Sequence, residues 1–467
     1  MPFQVWLPRG YAAAPGPARA IMAGVCVNVA FYGMWRTFAL IGRAPGWLTG
    51  GLLVLGALSA LLGIAHAAVQ NRLSRVIACS SIENTGLIVT GFGVALTGAA
   101  VGDRRLVAAG LLAATLQVVT HTAAKSLLFT SSAGIEAATG ADDLEELRGR
   151  ARRTPWSGFG LAVGSLTLAG LPPTAGFVSE WFLLEALMQQ FRVPGLGFRL
   201  VLAAAGAAVA LTAGFAAVAF VRLVGLVVLG RPRPGGPGGP GGRADGGAGG
   251  RAAVLLLSAA CLAVAALTPL EIRVIASGLS PVVPAGVTAG ALTSPWVLGP
   301  VFAGFSILSP SWLWIVMPAL FVITGLFTWA VSGSRMLRVR RVPPWRSATA
   351  GVTGASGYTV SGFANPTRRV LAAVLHTRAE VRPVAPEPDG GGADTVPGSR
   401  PAGQAPHLGY ASDVIEVVEQ YLYRPVLLPL RALVRAARRL QSGRLDAYLA
   451  YMLIALVAML AVVTGLS

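Results

Sequence analysis

The chain has 467 residues, of which 54% are hydrophobic and only 12% charged, with a net charge of +18. Apolar stretches recur at lengths of about 20, which is what a bilayer core of about 30 Å requires, so the composition describes an all-α, polytopic membrane helix bundle rather than a soluble domain. Most of the arginines flank these stretches, where anionic headgroups and orientation rules account for them, and this argues against nucleic-acid binding.

The opening "MPFQVWLPRGYAAAPGPARA" has no early apolar core, so no cleavable signal is expected. Spans are predicted near 19–41, 47–69, 75–98, 106–133, 157–171 with 174–191, 198–229, 252–276, 311–332 and 446–466, about nine or ten helices in all. Pro172 and Pro173 separate the paired stretches and break backbone hydrogen bonding in mid-membrane. The tract "RPRPGGPGGPGGRADGGAGGR" cannot bury a core and reads as a flexible linker. The expected organisation is therefore a core over 1–230, a linker over 231–251, additional membrane helices over 252–334, an extramembrane segment over 335–445 and a last membrane helix over 446–467. Within the extramembrane segment, "VAPEPDGGGADTVPGSRPAGQAP" reads as disordered. After it, "VIEVVEQYLYRPVLLPLRALVRAARRL" reads as an interfacial helix interrupted by Pro425 and Pro429. Arginines favour the side that holds 9–19, 70–75 and 148–153 over the side that holds 42–46 and 103–105, which places the first set in the cytoplasm and leaves the orientation after 157 open. Cys26, Cys79 and Cys261 lie in apolar spans without metal or disulfide spacing and read as small buried hydrophobes.

Chemistry is expected in the front part, where polar groups sit inside the spans. Ionisable groups in a bilayer cost about 2.5–3.5 kcal/mol each on insertion scales, so each needs a partner or a purpose. His66, Glu83, His121, Lys125, Glu180, Glu185 and Arg222 are such groups. One reading makes them structural ion pairs, with Glu180 bonded to Arg222 or Lys125 and Arg222 snorkelling. The other makes them a proton path. Lys125 favours the second, because it is the single lysine among 37 basic residues. Arginine would serve an ion pair at least as well, but it cannot give up its proton. His121 lies one helical turn before Lys125 and Gln117 one turn before that, so the three share a helix face. Glu180 follows the double proline by two turns as a carboxylate terminus of the same path.

Five stretches carry a resemblance: "PFQVWLPRGYAAAPGPARAIMAGV", "LSRVIACSSIENTGLI", "THTAAKSLLFTSSAGIEAATGADDLEELRG", "LAGLPPTAGFVSEW" and "FVRLVGLVVLGRPRP". Together they resemble the antiporter-like proton-translocating membrane subunits of complex I and related hydrogenases. "SSIEN", "GYTVSGFANPTRRVL" and "LQSGRLDAYLAYM" resemble the branch of hydrogenase 4 component B and the formate hydrogenlyase membrane subunit. The resemblance implies a mid-plane chain of lysines, histidines and glutamates, with electrons handled by partner subunits that carry iron–sulfur and nickel or quinone sites. It matches Lys125 to the family's central lysine, His121 to the histidine before it and Glu180 to the acidic residue of the broken helix. The departures are equally specific: Asn28 and Ser74 stand where the family has lysines, and Gln117 stands where it has a histidine. His66, two turns before Ser74, is a candidate replacement for the lost titrating group. Family members also place several helices before the motif that opens this chain, so a separate chain supplying them is an expected partner, and Asn28 would lack partners without it.

The first functional expectation is a proton-conducting subunit of a redox-driven complex, hydrogenase-4-like or NADH-quinone oxidoreductase-like, in the bacterial inner membrane with other membrane subunits as partners. The second is a scaffold that anchors partners and conducts nothing. The third is a sodium/proton antiporter subunit. With no phosphate-cradling glycine motif and no spaced cysteine ligands, no cofactor and no metal are expected in the chain itself.

Overall fold

The computed structural model describes residues 4, 6–42, 44–230, 245, 247–307, 309–332, 359–375, 377–384, 407–414, 419–440 and 445–465. Most of the Gly/Pro linker and of the stretch read as disordered lies outside these residues. The chain forms two compact units, Phe3–Ala372 and Ala373–Ser467.

In the first unit, α1 (Trp6–Ala13) precedes α2 (Gly16–Ile21), which runs through a π-helical turn at Met22–Cys26 into α3 (Val27–Ile41). Pro17 fits the first turn of α2, where its missing N–H would have no helical partner. Next come α4 (Gly46–Val69), α5 (Leu73–Val101) and α6 (Arg104–Thr139). Asp103 starts α6 by accepting from Arg105 N at 2.9 Å and Leu106 N at 3.2 Å. Gly102 and Gly140, at φ +77° and +69°, end α5 and α6 in the left-handed conformation that glycine adopts freely.

The next crossing is broken into α7 (Pro155–Leu168) and α8 (Ala175–Leu187). It is followed by α9 (Leu196–Val227), α10 (Ala248–Ala266) and α11 (Thr268–Gly278). The stretch 252–276, expected as one span, is therefore two helices. A proline is costly in a helix interior, and Pro269 stands in the first turn of α11, where it is tolerated. A short α12 (Ala285–Ala289), the hairpin β1 (Leu292–Ser294) with β2 (Val297–Leu298), α13 (Leu313–Ser332) and α14 (Val360–Val370) complete the unit. A single turn, α15 (Ala372–Leu375), lies at the boundary.

The second unit pairs β3 (Thr377–Val384) with β4 (His407–Val414) antiparallel, from Thr377 opposite Val414 to Val384 opposite His407. This ladder lies in the segment expected to be extramembrane and partly disordered before an interfacial helix, where no strand was expected. Its signal was a period of two, with Arg378, Glu380 and Arg382 alternating with Ala379, Val381 and Pro383, at low hydrophobicity. Then follow α16 (Arg424–Leu440) and α17 (Leu445–Gly465). Pro429 does not interrupt α16, which runs through it.

Among the described residues, seven helices are long and apolar enough to cross a membrane. The shorter α7 and α8 make one further crossing. At one end of the bundle Leu73 N donates to Asp142 O at 2.8 Å, Gly149 N to Leu226 O at 2.9 Å and Trp156 N to Asp245 Oδ2 at 2.6 Å. At the other end Phe302 N donates to Glu185 Oε1 at 2.7 Å. By these ties α8 ends opposite the side where α7 begins.

The contact of α4 with α5 is glycine-mediated. A Cβ on Gly63 would lie 2.6 Å from Glu83 N, and one on Gly56 2.8 Å from Thr90 N, so only glycine lets these backbones approach. Gly33 on α3 has nothing within 4 Å of a Cβ. We predict that Gly63→Val destabilises the detergent-solubilised protein by about 1–3 kcal/mol in thermal unfolding, as overpacking does. The matched Gly33→Val should melt as the parent does.

Candidate functional site

The polar groups of α5, α6 and α8 meet midway along these helices. Lys125 is fully buried on α6. Its Nζ donates to the Ile77 carbonyl of α5 at 2.7 Å and to the Ser80 hydroxyl. No carboxylate bonds it, so the ion-pair reading of Lys125 is replaced by a site built from neutral oxygens. Glu83, also fully buried, lies within Coulombic range of Lys125 and of Glu180. Its Oε2 is 3.4 Å from Asn84 Nδ2, and its Oε1 has no protein partner.

Gln117 is the crossing point. Its Nε2 donates to Asn84 Oδ1 at 2.6 Å, and its Oε1 accepts from the Ser179 hydroxyl. Gln117 thus joins α5, α6 and α8 through one amide, whose donor and acceptor are both used. His121, between Gln117 and Lys125, is fully buried, and neither ring nitrogen has a protein partner. Unbonded buried nitrogens cost about 1–3 kcal/mol, so His121 stands out from the bonded polar groups around it.

Glu180 closes the row on α8. Its carboxylate lies against the break between α7 and α8, where a Cβ on Gly170 would be 2.6 Å from Oε2. Gly170 has φ +61°, so its missing side chain serves both the backbone turn and the close approach of the acid. Glu180 makes no ion pair with Arg222.

Two candidates stand apart from this row. Arg222 is buried where α4 ends, with NH1 donating to Ala68 O at 3.0 Å and Gln70 O at 2.7 Å, and NH2 to Asn71 Oδ1 at 3.2 Å and Val360 O at 3.3 Å. It satisfies carbonyls that the helix leaves open and meets the negative end of the helix dipole. His66 Nδ1 bonds Leu62 O, one turn back on its own helix, at 2.8 Å.

The emptied lysine positions are both engaged. Ser74 N and Oγ donate to Asp142 at 2.8 and 2.7 Å. Asn28 Nδ2 donates to Thr122 Oγ1 at 2.6 Å and Gly24 O at 2.8 Å, so the expectation that it lacks partners is corrected, although its Oδ1 has none. Ser80, Asn84 and Ser179 belong to the site and were not singled out from the sequence. Ile77, Ser80 and Asn84 stand at i, i+3 and i+7, the helical spacing that marks one face. Among the described residues, no three His, Cys, Asp or Glu side chains converge as a metal ion would require.

Residues 1–204 match the family described as NADH:quinone oxidoreductase/Mrp antiporter, TM. Hydrogenase-4 component B of Escherichia coli (strain K12) is 29% identical over 467 residues, 98% of this chain and 66% of the relative. An uncharacterized protein of Mycobacterium tuberculosis (strain CDC 1551 / Oshkosh) is 31% identical over 97% of this chain and 68% of its own length. The chain therefore spans about two thirds of these relatives. The solved structure of the membrane-bound sulfane sulfur reductase, an archaeal respiratory membrane complex, shares the fold at a TM-score of 0.63 and 22% identity, over 98% of this chain and 65% of that one. Fold, motifs and relatives agree, and the chain belongs to the antiporter-like membrane subunit family of NADH:quinone oxidoreductase and Mrp antiporters.

Proposed function

We propose that this protein is the proton-conducting membrane subunit of a redox-driven respiratory complex, hydrogenase-4-like or NADH-quinone oxidoreductase-like, whose partner subunits carry out the electron transfer. The observation that carries this reading is the setting of Lys125: a fully buried amine held by a carbonyl and a hydroxyl, in line with His121 and, through Gln117 and Ser179, with Glu180. A bonded carboxylate would fix the charge in place. Neutral oxygens accept the ammonium's protons and equally tolerate the amine, so a proton can arrive and leave. Glu83 lies within Coulombic range of Lys125 without bonding it.

The complex is placed in a bacterial inner membrane, with the end that carries Arg72, Arg148, Arg150 and Arg152 in the cytoplasm. A companion chain with further helices belongs to this proposal. The apolar face of α2 and α3 that exposes Ile21, Val25, Val29 and Tyr32 supports such a partner.

A second reading, the scaffold, is favoured by one observation: Asn28 and Ser74 now make structural hydrogen bonds where the family has lysines. The two readings separate in one assay. In reconstituted complexes, Lys125→Arg is expected to lower proton pumping on the order of tenfold or more while assembly stays intact, because the guanidinium keeps the charge but not the exchange. Glu180→Gln should act in the same direction. Normal pumping by both variants would overturn conduction and leave the scaffold. By contrast, His66→Gln should leave the pH dependence of pumping unchanged, since an amide can keep the bond to Leu62 O; a shifted profile would return His66 to the path.

A further inference from the structure

We propose that Arg368 is a positioning residue for proton exchange at Lys125: through it α14 clamps the turn between α4 and α5 and so fixes the oxygens that hold the amine. This rests on the conduction reading above.

From Ala67 to Asn71 every carbonyl in the turn that ends α4 is taken. Ala67 O accepts from Gln70 N at 3.3 Å, Ala68 O and Gln70 O from Arg222 NH1, Val69 O from Arg368 NH2 at 2.9 Å and Asn71 O from Leu144 N at 2.8 Å. Carbonyls at a helix end need partners, and one arginine is an ordinary way to supply them. Here two converge. NH2 of Arg222 and NH2 of Arg368 each donate to Asn71 Oδ1 at 3.2 Å, and the two residues are only 2% and 5% exposed. Placing two buried like charges on one amide oxygen costs energy, so a cap alone does not account for the second.

What the second arginine adds is α14. Val360, Ala364 and Arg368, spaced by four, bury one face of this helix. Its first residue is tied as well: Val360 N donates to Glu145 Oε2 at 2.7 Å, in the turn that follows α6, and Val360 O accepts from Arg222 NH2 at 3.3 Å. One end of α14 thus holds the segment after α6, and the other holds the segment before α5. These are the two helices that meet at Lys125. α5 begins at Leu73, two residues after Asn71, and Ile77 and Ser80, whose oxygens receive Lys125 Nζ, lie in its first two turns. A shift of the turn moves those oxygens. α14 lies outside residues 1–204, so this control on the path comes from beyond the part of the chain that matches the family.

The test uses the assembled complex in lipid, with two readouts: protons pumped per electron transferred, and the magnetic resonance signal of the Lys125 amine at fixed pH. Arg368→Met keeps an apolar stem and removes the guanidinium, and Asn71→Ala removes the shared acceptor from the other side. Each is expected to lower pumping on the order of tenfold, as a misplaced reacting group does, and to displace the Lys125 signal. Ser157→Ala, which instead breaks the 2.7 Å bond to Asp245, is the control and should leave the signal in place however far it lowers stability. If Arg368→Met fails to assemble, Asn71→Ala decides. An unmoved signal in the assembled variants overturns the clamp, whatever the pumping, and conduction still stands where Lys125→Arg, run in parallel, blocks pumping. If Lys125→Arg pumps normally, both readings are overturned.

Discussion

One buried lysine amine ties the central helices of this bundle together. Lys125 lies inside the membrane with its charge on a carbonyl and a hydroxyl of the neighbouring helix, and that arrangement requires α5 and α6 to hold a fixed register. A carbonyl already used within a helix makes an effective second acceptor only when the donor is brought to it closely. The register is set at the helix ends. Leu73 N bonds Asp142 O and Leu144 N bonds Asn71 O, each at 2.8 Å, so the turn that follows α6 is stitched to the start of α5. Asp142 also takes both hydrogen bonds of Ser74. Ser74 is thereby part of the frame that aims Lys125.

The same division of labour runs through the other polar groups. On the row, both nitrogens of His121 and one oxygen of Glu83 are unpartnered, whereas the amide of Gln117 is used at both ends. Off the row, most polar groups serve structure, although Arg222 Nε and one oxygen of Glu185 are also unpartnered. Arg222 closes the end of α4, and Arg19 pairs with Glu136 at 2.7 Å. Asp245 caps α7 through Trp156 N and Ser157 Oγ.

Much of the fold was legible because long apolar spans have one solution in a bilayer: their hydrogen bonds must be satisfied within the segment. The positions of α4, α5, α6 and α9 follow from that constraint, and the broken α7–α8 crossing follows from two prolines. The site was legible on α6, where His121 and Lys125 share a face with Gln117. It was not legible on α5. There, "SSIEN" presents five residues of which only packing decides that Ser80 and Asn84 face Lys125 and Gln117. The role of Arg222 was hidden for a related reason, since its acceptors are backbone carbonyls from sequence positions more than a hundred residues away. The β3–β4 ladder was hidden by its arginine content.

The central claim is that the amine of Lys125 exchanges its proton within the membrane. Because Lys125 is the single lysine of the chain, the complex carrying this subunit labelled with heavy nitrogen in its lysine side chain yields one amine signal from it by magnetic resonance in lipid. The account predicts that this signal moves between its ammonium and amine positions as pH is swept across the range in which the complex pumps. A signal fixed at the ammonium position throughout that range would contradict it.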